Sequence, residues 1–278
     1  ANWGVTGGQY GTDDIFSDPR NEGLGVYRVI HGEQSVYLLL SDRKTMYAKC
    51  FGYNNHLFHD MSGVKMTANN ATFVRCSFIE EWKDPELEIV DVCPSLNSVA
   101  FLLSDGKVYY NKFGYSTRST PLEVSEISSY LEQHPNTYVS YLTEIDRSGY
   151  MAVIADKSTQ ETAHMVVGWN GNNMDMDATS LSLFVGKRIV HVASFKHFKT
   201  YVVTQNTDGV YQLYYDTNNN SVSNGITSAF TFAEDSQNLT TLLNDNQDEY
   251  NFEFMDNYPH DDSLEVVFRH KMDLSVQI

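Results

Sequence analysis

The sequence predicts an all-β chain assembled from one repeated supersecondary unit, and three observations carry that expectation. A short phrase returns five times at intervals of roughly fifty to sixty-five residues. Every copy keeps one order: an apolar strand, a polar turn carrying Asp and often Gly, then a second strand running to aromatic residues and, in most copies, a glycine. The spacing also survives passage from one end of the chain to the other. With Asp42, Asp105, Asp156, Asp208 and Asp273 as markers, the gaps are 63, 51, 52 and 65 residues, and running past the C-terminus and on to Asp42 spans 47 more. A period of this length means that each unit buries its apolar face against its neighbours. The expected architecture is a single β-propeller domain over residues 1–278, with about five four-stranded blades and the N-terminal strand completing the last one. Such closure removes exposed strand edges. An irregular β-sandwich with similar hairpins is the competing architecture.

Along the chain, the first copy runs from Val36 through Leu38, Leu39 and Leu40 to Asp42, then on to Cys50-Phe51-Gly52-Tyr53. The second is the fullest. Ala100-Phe101-Leu102-Leu103 is too short and too apolar for a surface helix and fits a strand covered on both faces. Ser104-Asp105-Gly106-Lys107 supplies the side-chain hydrogen bond and the φ > 0 position of a tight hairpin. Val108-Tyr109-Tyr110 then resumes a β-branched and aromatic strand that leads to Phe113-Gly114. Ser119–His134 spaces its apolar residues at three and four, which predicts a short helix between units. The third copy pairs Met151–Asp156 with Met165–Trp169. The fourth pairs Tyr201–Asp208 with Val210-Tyr211 and Tyr214-Tyr215. The fifth is Leu264–Phe268 followed by Lys271–Ile278. Asn2-Trp3-Gly4 stands where Lys112-Phe113-Gly114 stands in the second copy, so residues at the N-terminus are expected to complete the fifth unit.

These residues resemble a known repeat. Trp3-Gly4-Val5-Thr6-Gly7-Gly8-Gln9-Tyr10-Gly11 is similar to the Trp-Gly-x-Asn-x-x-Gly-Gln-Leu-Gly signature of the regulator of chromosome condensation family, one residue shorter. Phe51-Gly52-Tyr53-Asn54-Asn55 resembles the same signature with its end replaced. The string from Leu102 to Tyr109 resembles the family's second and third strands. Ile89-Val90-Asp91-Val92-Cys93 and Ile189-Val190-His191-Val192-Ala193 resemble its usual Ile-x-x-Val opening. The resemblance implies a propeller. Family propellers usually carry seven blades in a longer chain, whereas five copies are marked here. The founding member is a guanine-nucleotide exchange factor for the small GTPase Ran and binds chromatin, and many relatives are binding modules. No exchange residue maps onto this sequence.

Composition narrows the partners. The 19 basic against 36 acidic residues give a formal charge of −17, spread along the chain. That disfavours nucleic acid or an anionic membrane as primary partner and fits docking on basic protein surfaces. Cys50, Cys76 and Cys93 form no close pair, so buried thiols in a reducing compartment are expected rather than a disulfide framework. The sequons at Asn70, Asn219 and Asn238 keep a secreted origin open. No apolar run approaches a membrane span, and no signal peptide is recognisable. The cytoplasm or nucleus is the expected location. Ala1 fits either removal of an initiator Met or signal cleavage, and closure by the N-terminal strand favours the first.

Sites are sparser. His56 and His59, followed by Asp60, sit three apart on a strand-to-turn segment and so point to opposite faces, and a shared metal would need irregular backbone. Asn173-Met174-Asp175-Met176-Asp177 and the stretch from Asn244 to Glu249 lack the Gly and distal Glu of a calcium loop. Gly186-Lys187 lacks the upstream glycine of a phosphate loop. No catalytic set, cofactor or metal is therefore expected. Two segments stand out as insertions that the repeat does not need, Asp60–Glu86 and Thr231–Asp261. Loops on a rigid scaffold are where binding concentrates. Glu80, Glu81, Trp82 and Asp84 in the first, with Asp256, Tyr258 and His260 in the second, are the candidate partner contacts. Trp82 serves equally as cover for a blade edge. On the resemblance, the first insertion is placed like the protruding hairpin through which the founding member reaches its GTPase. The expected function is a non-enzymatic protein-interaction propeller, a scaffold or complex subunit. Regulation of a Ran-like GTPase and secreted carbohydrate or receptor binding are the alternatives.

Overall fold

Runs of β-branched and aromatic residues with few interior Gly or Pro make strands here, and the Asp-bearing turns fold them back as antiparallel meanders. The computed structural model describes residues 13–32, 35–50, 73–94, 98–112, 121–145, 149–169, 174–175, 182–195, 199–217, 231–235, 239–245, 247, 250–257 and 264–270. They form five antiparallel sheets, none closed on itself. The first sheet is β1 (Val26–Gly32), β2 (Ser35–Leu40), β3 (Met46–Cys50) and β4 (Val74–Arg75). The second is β5 (Ile89–Pro94), β6 (Ser98–Leu103), β7 (Val108–Lys112) and β8 (Leu122–Glu123). The third is β9 (Thr137–Ile145), β10 (Gly149–Asp156), β11 (Thr162–Trp169) and β12 (Met174–Asp175). The fourth is β13 (Arg188–Phe195), β14 (Lys199–Gln205), β15 (Tyr211–Asp216) and β16 (Phe232–Glu234), and the fifth pairs β17 (Tyr250–Asn257) with β18 (Leu264–His270). The chain divides into two compact units, Ala1–Glu132 and Gln133–Ile278.

The sheets share a backbone device that side-chain patterns do not reveal. In each, the first strand carries one residue more than the second strand matches: Tyr27, Val90, Ser140, Val190 and Glu253 are the extra residues. They recur at intervals of 63, 50, 50 and 63 residues. A bulge at this place bends the first strand and sharpens its twist. Each first strand is also preceded by a short helical segment that buries one large apolar side chain. These segments are α1 (Asp13–Ser17) with Ile15, α2 (Ser77–Trp82) with Ile79, α3 (Ser125–Gln133) with Ile127, a 3-10 turn at Ser182–Phe184 with Phe184, and α4 (Leu239–Asn244) with Leu243. Each such anchor contributes roughly 1.5–3 kcal/mol of apolar burial. The helix expected within Ser119–His134 is α3.

The second strands of the first four sheets are covered on both faces. In β2, Tyr37 and Leu39 enter a core with Met46, Ile79, Val92, Phe101 and Leu103, joining the first and second sheets. Leu38 and Leu40 point the other way and pack with Ile15 and Tyr47. Their alternation is the strand period of two. In the second unit, Val202 joins Met151, Val153, Phe184 and Tyr214 between the third and fourth sheets. Its neighbour Val203 joins Leu213 and Leu243, against which Phe252, Val266 and Phe268 of the fifth sheet pack.

Two expectations are corrected. The described parts of the segments read as insertions belong to the repeat. Residues 74–82 supply β4 and α2, while residues 232–257 supply β16, α4 and β17. A fourth strand of two or three residues is too short to show alternation, so these segments looked structureless. The marker Asp208 is also displaced. Asp42, Asp105 and Asp156 each accept hydrogen bonds from backbone amides of their own turns. In the fourth copy Asn206 does this, accepting from the amides of Asp208 and Val210 at 3.0 and 2.8 Å. Gly106 and Gly209 follow with φ of +83° in both turns, a conformation that disfavours any side chain.

Candidate functional site

Of the residues singled out in the sequence, three fall together at the end of α2. Glu80 is turned inward: its carboxylate accepts from Arg75 Nε at 2.7 Å, and Arg75 Nη1 also donates to Asn21 Oδ1 at 3.0 Å. Trp82 packs on the first unit's core, 5.7 Å from the Phe101 ring and edge-on to Tyr109 at 5.2 Å. Asp84 is exposed, and its carboxylate accepts from the Glu86 amide at 2.9 Å. Between them, Lys83 is buried and its Nζ donates to the Asp84 carbonyl at 3.4 Å. Burial, helped by the nearby charge of Lys44, lowers the Lys83 ammonium below its ordinary value. The backbone of Glu81 belongs to α2, but its side chain lies outside the described residues, as does that of Asp256 on β17. Tyr258, His260, His56, His59, Asp60, Asn173 and Asp177 also lie outside them. Among the described residues, no group of three His, Cys, Asp or Glu side chains could hold a metal ion.

A second place was not foreseen. In the second unit, the β10–β11 turn, the loop before β13 and the β14–β15 turn enclose a groove of about 680 Å³. Thr159 and Glu161 line it from the first turn, Gly186 and Lys187 from the loop with Arg188 at the start of β13, and Gln205, Asn206, Thr207 and Gly209 from the last. The loop is fixed by its backbone. Gly186 N donates to Thr162 O at 2.9 Å, Thr162 N donates to Lys187 O at 2.8 Å, and Lys187 N donates to Phe184 O at 2.9 Å. Lys187 Nζ lies 5.7 Å from the ring centroid of Tyr214, a cation–π arrangement, and that buried ring is braced edge-on by Phe184 at 5.2 Å. Arg188 is exposed, and among the described residues no hydrogen bond or ion pair engages its guanidinium.

The corresponding place in the first unit is shut. Glu88 precedes Ile89 of β5 as Arg188 precedes Ile189 of β13, each immediately before the bulge. There the Arg43 guanidinium grips Glu88, while Ile89 N donates to Arg43 O at 2.7 Å. Arg188 reverses the charge found at Glu88, and the second unit leaves the slot open. The only sequence signal was an adjacent Lys-Arg pair after a turn glycine in an acidic chain.

No protein-family model matches the chain, and no curated protein matches it. Among solved structures, human WBSCR16 is similar over 88% of this chain and 60% of its own, with a TM-score of 0.52 at 13% identity. Yeast RCC1 (Prp20), solved bound to Kap60, is similar over 88% of this chain and 54% of its own, with a TM-score of 0.47 at 11% identity. A structure of Prp20p from Saccharomyces cerevisiae, described with its binding to Gsp1p and histones, covers 67% of this chain and 43% of its own at 15% identity and a TM-score of 0.38. These neighbours are RCC1-like proteins, and at such identities the likeness is one of fold. The chain spans three fifths or less of their lengths. The likeness to human WBSCR16 meets the resemblance carried by Leu102–Tyr109 at the level of fold, in a divergent form, while Asn2–Gly4, Trp3–Gly11 and Phe51–Asn55 lie outside the described residues.

Proposed function

We propose that the chain is a non-enzymatic protein-interaction module, a scaffold or complex subunit working in the cytoplasm or nucleus. In this reading residues 1–278 form one propeller of about five blades, and the N-terminal strand completes the last blade. The observation that supports it is the recurrence of one backbone device, bulged first strand and anchored helix, beneath turns that differ among the four copies whose turns are described. Arg43 and Lys44 occupy the first turn, Gly106 and Lys107 the second, Lys157 to Gln160 the third, and Thr207 to Gly209 the fourth. A constant interior under variable turns is how repeat scaffolds diversify their contacts. Glu81, Asp84, Asp256, Tyr258 and His260 are the partner contacts of this proposal, while Glu80 and Trp82 hold α2 on the first unit. Cys76 and Cys93 are buried free thiols, and burial raises Cys76 well above the ordinary thiol range, which leaves it chemically inert.

Affinity capture from native lysate tests the proposal, run in parallel with EDTA and with excess GTP–Mg²⁺. Partners retained equally in both lanes are expected. A small GTPase held in EDTA and released by GTP–Mg²⁺ would replace the scaffold reading with that of an exchange factor. Empty lanes would leave no interaction module.

A further inference from the structure

We infer that the groove between the β10–β11 turn, the Gly186–Arg188 loop and the β14–β15 turn receives an extended peptide carrying isolated carboxylates. The inference rests on the interaction-module reading and names the partner chemistry of one site.

Cations are scarce in this chain, and in the described residues most are already engaged. Arg20 pairs with Asp18, Arg28 with Asp91, Arg43 with Glu88, Arg75 with Glu80 and Lys107 with Glu123. Lys187 and Arg188 break that pattern. They are adjacent, they share one groove, and neither meets a carboxylate among the described residues. The loop that carries them is held by three backbone hydrogen bonds, so their placement is set before any ligand arrives. Tyr214 supports the Lys187 ammonium without neutralising it.

The rest of the lining selects among anions. Thr159, Thr207 and Asn206 offer neutral hydrogen-bonding groups along the walls, which match the amides and carbonyls of an extended chain. A volume of about 680 Å³ far exceeds one inorganic anion and accommodates several residues. Glu161 also lines the groove, and among the described residues its carboxylate has no basic partner. It repels continuous negative charge, so single carboxylates spaced by small neutral residues fit better than a phosphate dianion or an acidic run. Arg188, with its planar fork of donors, is the natural partner for one carboxylate.

The test uses the full chain and a dye-labelled hexapeptide with two glutamates separated by glycine and serine. Its glutamine counterpart is the control. Saturable binding to the glutamate peptide is expected, weakening as salt rises. Arg188→Gln should weaken it about tenfold and the Lys187→Gln/Arg188→Gln pair further, in line with loss of charge-assisted hydrogen bonds. Glu161→Gln should tighten it severalfold. Glu161 and Lys187 are half-buried loop residues and Arg188 is exposed at the start of β13, so unchanged thermal melting would confirm that the variants fold. Equal binding of the glutamine peptide, indifference to the double substitution, or no binding would each overturn the inference. So would displacement of the peptide by sub-millimolar inorganic phosphate, which would make the groove a phosphate site. Partners captured from lysate without peptide binding would remove this site and leave the module. Peptide binding with empty capture lanes would do the reverse.

Discussion

Asn21 uses every polar atom of its side chain inside the first unit. Its Nδ2 donates to the Ile15 carbonyl at 2.6 Å and to the Tyr47 hydroxyl at 2.7 Å, and its Oδ1 accepts from Arg75 at 3.0 Å. The residue is buried, so Asn21→Ala leaves several groups without a replacement from water. The expected loss is about 1–3 kcal/mol. It should appear as a lower urea midpoint with an unchanged slope, and an unshifted midpoint would mean that Asn21 merely fills space. Asp156 makes a prediction in pH. Hydrogen bonds from the Ser158 hydroxyl and amide, then from the Thr159 amide, lower its carboxyl from 3.8 to about 2. The folded state therefore holds the proton less tightly than the unfolded state. The stabilisation is present above pH 3.8 and is lost as pH falls towards 2. Thermal melts of Asp156→Asn should show a shallower acid limb across that window. An acid limb identical to that of the unsubstituted protein would show that the turn does not depend on the ionised carboxylate.

At the scale of elements, the second and third strands were legible because burial on both faces demands apolar runs and the hairpin between them demands Asp and Gly. Leu38–Leu40, Phe101–Leu103 and Met151–Ile154 announce themselves in this way. The fourth strands did not. Val74-Arg75 and Leu122-Glu123 are held by backbone pairing, and Leu122 is largely exposed, so no side-chain pattern marks them. The bulges were invisible for a related reason: Tyr27, Val90, Ser140, Val190 and Glu253 share a backbone position and nothing in side-chain chemistry. The groove escaped notice because Glu161 and Tyr211 come together only through tertiary folding, fifty residues apart. Helix anchors are single residues within short segments, yet they bear much of the packing. Ile79→Ala and Leu243→Ala should each cost about 2–5 kcal/mol, read from denaturant unfolding. A loss below about 1 kcal/mol would mean that the helix rests on its capping contacts instead.

At the scale of the whole molecule, those same substitutions decide whether residues 1–278 behave as one domain. The division into Ala1–Glu132 and Gln133–Ile278 permits independent folding, whereas a closed ring gives every blade two neighbours and spreads local damage to all of them. The two arrangements differ in calorimetry. A single domain melts in one transition whose calorimetric and van't Hoff enthalpies agree. Ile79→Ala and Leu243→Ala would then each lower that whole transition, by about 2–4 °C for every kcal/mol lost. Independent units would give two transitions, with Ile79→Ala moving one and Leu243→Ala the other. We expect the single transition, because the bulge and the anchored helix recur in both units with the same spacing logic, and a repeat of this kind is stable only when each copy is covered on both sides. Two separable transitions would place a domain boundary near Gln133 and make the groove at Lys187 and Arg188 a property of the second unit alone.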